Sequence, residues 1–214
     1  MSGVTRGRFI TFEGGEGTGK STQVRLLAER LAGLAPEVVV TREPGGSTGA
    51  EAIRALLVTG AVDRWSPLAE TLLMYAARRD HIERVISPAL ERGAWVLCDR
   101  FADSTRAYQG AGGGVDPALI AALEQHVLGD VKPDLTLILD LQVDAGLARA
   151  VDRPGAETRF EAKGRDFHER LRQAFLEIAR AEPERCAVIH ASGSREGVAA
   201  AVLSTVLDRL GVDA

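Results

Sequence analysis

The 214-residue sequence contains no asparagine, two cysteines, two methionines, three lysines and only 5% aromatic residues. Each shortage excludes something. Without asparagine there is no Asn-Lys-x-Asp element, with which GTP-binding switches read guanine. Cys98 and Cys186 are too few for a disulfide framework, and neither has the CxxC or Cys/His spacing of a zinc site. Cys98 closes the apolar run Trp95-Val96-Leu97 and reads as a small buried hydrophobe. His81, His126, His168 and His190 share no metal-ligand spacing and read as structural or solvated. No apolar run approaches the roughly 20 residues of a membrane span. The start, MSGVTRGRFITFEGG, holds no apolar segment long enough for a signal peptide. The expectation is a cytoplasmic protein with no membrane partner. A net charge of −4 leaves no basic footprint for nucleic acid.

What is present is ordinary for a globular chain: 45% apolar and 26% charged residues. At about 150 residues per domain the length fits a single domain spanning 1–214. Of 26 basic residues only Lys20, Lys132 and Lys163 are lysine, a bias that a GC-rich genome would produce and that makes Lys20 conspicuous.

Short apolar runs alternate with longer patterns of helical spacing. Arg8–Glu13, Glu37–Thr41, Trp95–Asp99, Leu135–Asp140 and Cys186–His190 read as strands, the central ones apolar throughout, as strands buried on both faces should be. Ser21–Leu34, Pro67–Glu91, Pro117–Leu128, Val143–Val151, Phe167–Ala181 and Ser194–Leu210 read as helices, with a kink or join expected at Pro88. This alternation predicts an α/β fold: a five-stranded parallel sheet with helices on both faces. The polar, glycine-containing segment Arg153–Arg165 reads as a mobile loop.

Gly14-Gly15-Glu16-Gly17-Thr18-Gly19-Lys20-Ser21 fits G-x-x-x-x-G-K-[ST] and lies between a predicted strand and a predicted helix. Glycines let backbone N–H groups converge on phosphate oxygens at a helix N-terminus, whose dipole favours anions. Lys20 would charge-compensate the β/γ-phosphates, and the Ser21 hydroxyl is placed to hold Mg²⁺. Motor and helicase ATPases place Glu after the strand-end Asp, whereas the strand ends here read Asp99-Arg100 and Asp140-Leu141. Two readings stay open: a kinase for a small acceptor, or a nucleotide-binding protein without turnover.

Six segments in order, FEGGEGTGKST, TREPGGS, LLMYAARRDH, CDRFADSTRAYQG, LGDVKPDLTLILDL and the arginine-containing stretch ending in RFE, give the chain a resemblance to the thymidylate kinase family over nearly its whole length. The resemblance implies a P-loop nucleoside monophosphate kinase fold with a short lid. It also implies ATP- and Mg²⁺-dependent phosphorylation of dTMP to dTDP, and homodimers. Carried over by position, it implies that Glu16 accepts from the dTMP 3′-hydroxyl. Arg100 would clamp the acceptor phosphate, a task suited to a planar fork, and Asp99 would lie near Mg²⁺. Thr22 continues the ATP cradle. Pro44, Arg54, Arg78, Ser104, Thr105, Tyr108 and Gln109 would form the acceptor pocket, with Arg78 on the thymine edge and Tyr108 where a ribose 2′-hydroxyl would need to go. Glu13 would brace the loop. Where the family commonly sets an aromatic residue against thymine, this chain has Met74, a thioether that can also pack on a π-face.

Family members place a catalytic arginine either in the phosphate loop or on the lid. Gly17 occupies the loop position here, and Arg149, Arg153 and Arg159 lie in the lid region, expected at about 149–165. Arg153 is the expected lid arginine on the transferring phosphoryl group, with Arg149 toward ATP. A kinase for a different deoxynucleotide remains an alternative, since burying one methyl group discriminates by only about 1–3 kcal/mol.

Overall fold

In a computed structural model, residues 6–151, 158–161 and 163–212 are described. The strands are β1 (Phe9–Glu13), β2 (Val38–Arg42), β3 (Trp95–Asp99), β4 (Leu135–Asp140) and β5 (Cys186–His190). They form one parallel sheet in the order β2-β3-β1-β4-β5. β1 is buried throughout and the edge strand β2 is not. The expected strands hold to within a residue.

Alternation along β1 and β3 sorts side chains to two faces. Ile10, Phe12, Trp95 and Leu97 pack with α1 (Lys20–Leu31) and α10 (Arg195–Leu210), which buries Val198, Val202 and Val206 at i, i+4 spacing. Phe9, Val96 and Cys98 pack against the opposite layer, built from α3 (Pro67–His81), α4 (Ser87–Glu91) and α6 (Pro117–Leu128). α2 (Thr48–Val58) lies against α3, and α9 (Arg165–Ala181) covers β4 and β5 on this second side. Helix starts are chemically marked: Ser47, Ser66, Asp116 and Ser194 each accept a backbone N–H of the first turn.

Three local expectations differ, while the join expected at Pro88 is present. The first helix stops at Leu31, where Ala32 turns extended and Gly33 takes φ 97°. The pattern Pro67–Glu91 is continuous but joined by a π-helical turn, Ile82–Ile86, just before Pro88. The wider turn accommodates the ring of a proline, which donates no hydrogen bond. Ala102–Thr105 (α5) and the π-helical Arg106–Gly112 are helical where no helix was expected. α7 spans Val143–Val151, and the predicted loop contains the short helix α8 (Thr158–Glu161). Among the described residues no helix is long and apolar enough to cross a membrane.

Candidate active site

Strand order places the chemistry. β1 lies between β3 and β4, so the loop after β1 and the Asp99-Arg100 end of β3 emerge side by side. This is the carboxyl edge, where open parallel sheets bind ligands. Phe12 pairs with Asp99 in the register, and Arg100 N–H donates to Phe12 O at 2.9 Å. Glu43, just past β2, donates its N–H to Asp99 O at 2.9 Å.

The loop Gly14–Gly19 feeds α1 through Gly19 at φ 91°, a left-handed conformation that suits glycine. Lys20 is buried, and its Nζ donates to Gly14 O at 3.0 Å and Gly15 O at 2.7 Å. Burial, with Arg100 nearby, pulls the Lys20 ammonium down to about 8. Ser21 Oγ donates to Asp99 Oδ2 at 2.5 Å, so a hydroxyl and a carboxylate stand together at the head of α1.

Arg100 is the one described non-glycine residue with positive φ, 69°. Its guanidinium donates to Gly14 O at 3.1 Å, Ser104 Oγ at 3.3 Å and Glu16 Oε1 at 3.0 Å, and lies over the Tyr108 ring. Tyr108 also donates to Glu16 Oε1, at 2.7 Å, and burial pushes its phenol well up. Glu13 accepts from Phe101 N, Ser104 N and Ser104 Oγ at 2.8, 3.1 and 2.6 Å, so it braces the segment carrying Arg100 rather than the phosphate loop. Burial, with Asp103 adding to it, pushes the Glu13 carboxyl up to about 7.

Arg78 is held from several sides. Glu43 accepts from its Nε at 2.7 Å, Phe101 O from Nη2 at 2.9 Å, and Thr105 Oγ1 from the fork at 3.1 Å. His81 Nδ1 is 2.9 Å from the other Glu43 oxygen, which accounts for this buried histidine structurally. Arg54 donates to Pro44 O. Tyr75 turns into the core, its hydroxyl donating to Ile120 O at 3.3 Å, which leaves Met74 to face the site.

Between the phosphate loop and these side chains lies a cleft of about 510 Å³. It brings together Glu16, Gly17, Gly19, Lys20, Ser21, Thr22, Asp99, Arg100 and Arg149 with Pro44, Arg54, Met74, Arg78, Ser104, Thr105, Tyr108 and Gln109. Gly14, Gly15 and Thr18 do not line it; they border a small cavity between the loop and α9. Arg149 is anchored to Ala191 O at 3.2 Å. Arg153 lies outside the described residues.

Arg159, one of the three arginines of the lid region, does not line this cleft. It is buried, ion-paired with Glu70, and donates to Leu57 O, Ala61 O and Val62 O at 3.0, 3.1 and 3.1 Å. Its guanidinium is committed to the end of α2 and the turn after it, so it is no lid arginine facing a transferring phosphate. The cleft also includes Arg42, Glu43, Val58, Phe101 and Phe160, to which no role was given. Arg42, Glu43, Phe101 and Phe160 lie inside the quoted motifs, whereas Val58 has no sequence signal.

The sheet, the phosphate loop and the arginine-lined pocket across the cleft are those of the P-loop nucleoside monophosphate kinases. The family model for Thymidylate kinase matches residues 12–202, and the chain belongs to that family. It is 66% identical over 209 residues to the thymidylate kinase of Caulobacter vibrioides, covering 98% of this chain and 100% of the relative. With that of Bradyrhizobium diazoefficiens it shares 56% over 207 residues, covering 96% and 91%. A crystal structure of thymidylate kinase from Ehrlichia chaffeensis superposes with a TM-score of 0.78 at 38% identity, covering 94% of this chain and 99% of that one.

Proposed function

We propose that the chain transfers the γ-phosphoryl group of ATP to the phosphate of dTMP, releasing ADP and dTDP. The observation that carries this reading is the single cleft in which Lys20, Ser21 and Asp99 meet Arg100, Glu16 and Tyr108. An oxygen of the dTMP phosphate attacks the γ-phosphorus while the bond to the β,γ-bridging oxygen breaks, and that oxygen leaves on ADP. The acceptor has a second pKa of about 6, so it arrives largely ionised and needs no general base. The work left to the protein is positioning and charge compensation.

Lys20 would meet the β/γ-phosphates, with the loop N–H groups of Gly14–Gly19, and Thr22 and Arg149 on the ATP side. Arg100 and Arg54 would hold the acceptor phosphate. Glu16 would accept from the 3′-hydroxyl, and the Tyr108 ring would exclude a 2′-hydroxyl. Pro44, Met74, Arg78, Ser104, Thr105 and Gln109 would enclose the base and sugar, with Arg153 supplying positive charge to the transferring group.

Ser21 and Asp99 fit Mg²⁺: two hard oxygen donors 2.5 Å apart beside the phosphate loop. Mg²⁺ sites of this kind take few protein ligands and complete themselves with phosphate and water. Among the described residues no cluster of three or more His, Cys, Asp or Glu offers a dedicated cage. Bound there, the ion would neutralise phosphate charge.

The reading extends to a homodimer, supported by Leu68 and Leu72 on α3 and Leu119 on α6, which stay largely exposed on packed neighbours. It extends to the cytoplasm, where the two buried free thiols would stay reduced. Lys20→Met tests the chemistry. Turnover should fall by about 10²–10³-fold while the circular dichroism spectrum stays that of the folded protein. Undiminished turnover would refute the assignment.

A further inference from the structure

Glu70 lies on α3, outside the lining of the cleft, and is buried. Its two oxygens serve different partners. Oε1 accepts from Gln109 Nε2 at 2.9 Å, and Oε2 is ion-paired with Arg159 of α8. Gln109, itself buried, lines the cleft from the π-helical segment Arg106–Gly112.

The two ends of a glutamine amide are almost the same size and opposite in hydrogen-bond sense. Which end faces a ligand is therefore decided by what holds the other end. A carboxylate paired with a guanidinium offers acceptors only, so the amide must present Nε2 to Glu70. Its Oε1 is then the acceptor left for the cleft.

We propose that Glu70 is a positioning residue that fixes the orientation of the Gln109 amide, and thereby makes the base pocket select an N–H donor on the pyrimidine edge. The proposal rests on the dTMP kinase reading. Thymine carries one such donor, N3–H, whereas cytosine has a lone pair at N3. Arg159 compensates the charge of the carboxylate, so α8 contributes to base recognition without touching the base.

Glu70→Gln makes the sharpest test. Arg159 will hold the amide oxygen of the new side chain, which turns its NH₂ toward Gln109. Gln109 must then offer Oε1 to that NH₂ and its own Nε2 to the cleft. The readout is the ratio of kcat/KM for dTMP to that for 5-methyl-dCMP, which keeps the ring and its methyl group and presents a lone pair at N3 in place of the N–H. The native enzyme should favour dTMP by at least about tenfold, because the analogue leaves a buried acceptor unpaired. In Glu70→Gln the ratio should fall to near unity, chiefly through KM for dTMP.

Glu70→Asp, which keeps the charge for Arg159 but cannot reach both partners, should lose the preference too. In a Gln109→Met background, Glu70→Gln should change the ratio no further. A merely structural role would lower the melting temperature and leave the ratio unchanged, and that result overturns the proposal. Absence of any turnover of dTMP by the native enzyme would instead overturn the dTMP kinase reading itself.

Discussion

At Gly17 a single Cβ would lie 1.9 Å from the carbonyl oxygen of Gly146 on α7, on a backbone at φ 66°. The contact is mutual, since a Cβ at Gly146 would meet Glu16 O at 2.5 Å. The loop and α7 therefore close on each other only because both positions lack side chains, which gives a physical reason why no arginine stands in this loop. Gly17→Ala should lower stability by more than about 1 kcal/mol, read as a reduced urea midpoint.

Glu13 supplies a second residue-level prediction. Its carboxyl is raised to about 7 by burial, from 4.5, so the folded state holds the proton more tightly than the unfolded chain. The stability this confers is present in full below pH about 4.5 and is lost as the pH rises through 7, an effect of roughly 3 kcal/mol. Glu13→Gln keeps Oε1 as acceptor for the Phe101 and Ser104 N–H groups and reverses the bond to the Ser104 hydroxyl, and its urea midpoint should be flatter between pH 5 and 8 than that of the native protein. An equal slope in both proteins would mean that Glu13 is already ionised throughout that range.

How far single residues could be read depended on how local their partners are. Lys20 and Ser21 were legible because the phosphate-loop spacing is contiguous. Arg159 was not: its partners are carbonyls of residues 57, 61 and 62, and a carbonyl has no sequence signature. Glu70 carried no signal either, because its meaning comes from Gln109, 39 residues away.

At the scale of elements, strand positions were readable because short buried apolar runs admit little else. The segment 102–112 was not: it fell outside every predicted helix, and glycines such as Gly110 and Gly112 weaken a helical pattern. Packing decides otherwise. A Cβ at Gly112 would lie 2.5 Å from the Phe167 ring and 3.0 Å from Leu171, so the missing side chain lets α9 press against the π-helical segment. That pressure holds Tyr108 and Gln109 at the cleft. Gly112→Val should displace them and lower kcat/KM for dTMP by about 10–10²-fold. KM for ATP should stay near native, because the phosphate loop lies on another element. Parallel losses for both substrates would show that the segment supports the whole site rather than its acceptor side.

For the whole molecule, the strand order does what no single motif can. Ser21 and Asp99 are 78 residues apart and meet because β3 crosses back beside β1. The alternation of strands and helices made a parallel sheet readable, while the contact itself depends on register. On the outside, exchanging Leu68 and Leu72 for glutamate should give a monomer by sedimentation if α3 lies in a dimer interface. An unchanged sedimentation coefficient would place any interface elsewhere.

The most direct test of the central claim is ADP release with ATP and Mg²⁺ across a panel of acceptors: dTMP, dUMP, ribo-TMP, dGMP and none. Rapid turnover with dTMP, little with ribo-TMP if Tyr108 blocks a 2′-hydroxyl as proposed, and none without acceptor is the predicted result. ADP release that ignores the acceptor, or that favours dGMP, would contradict it.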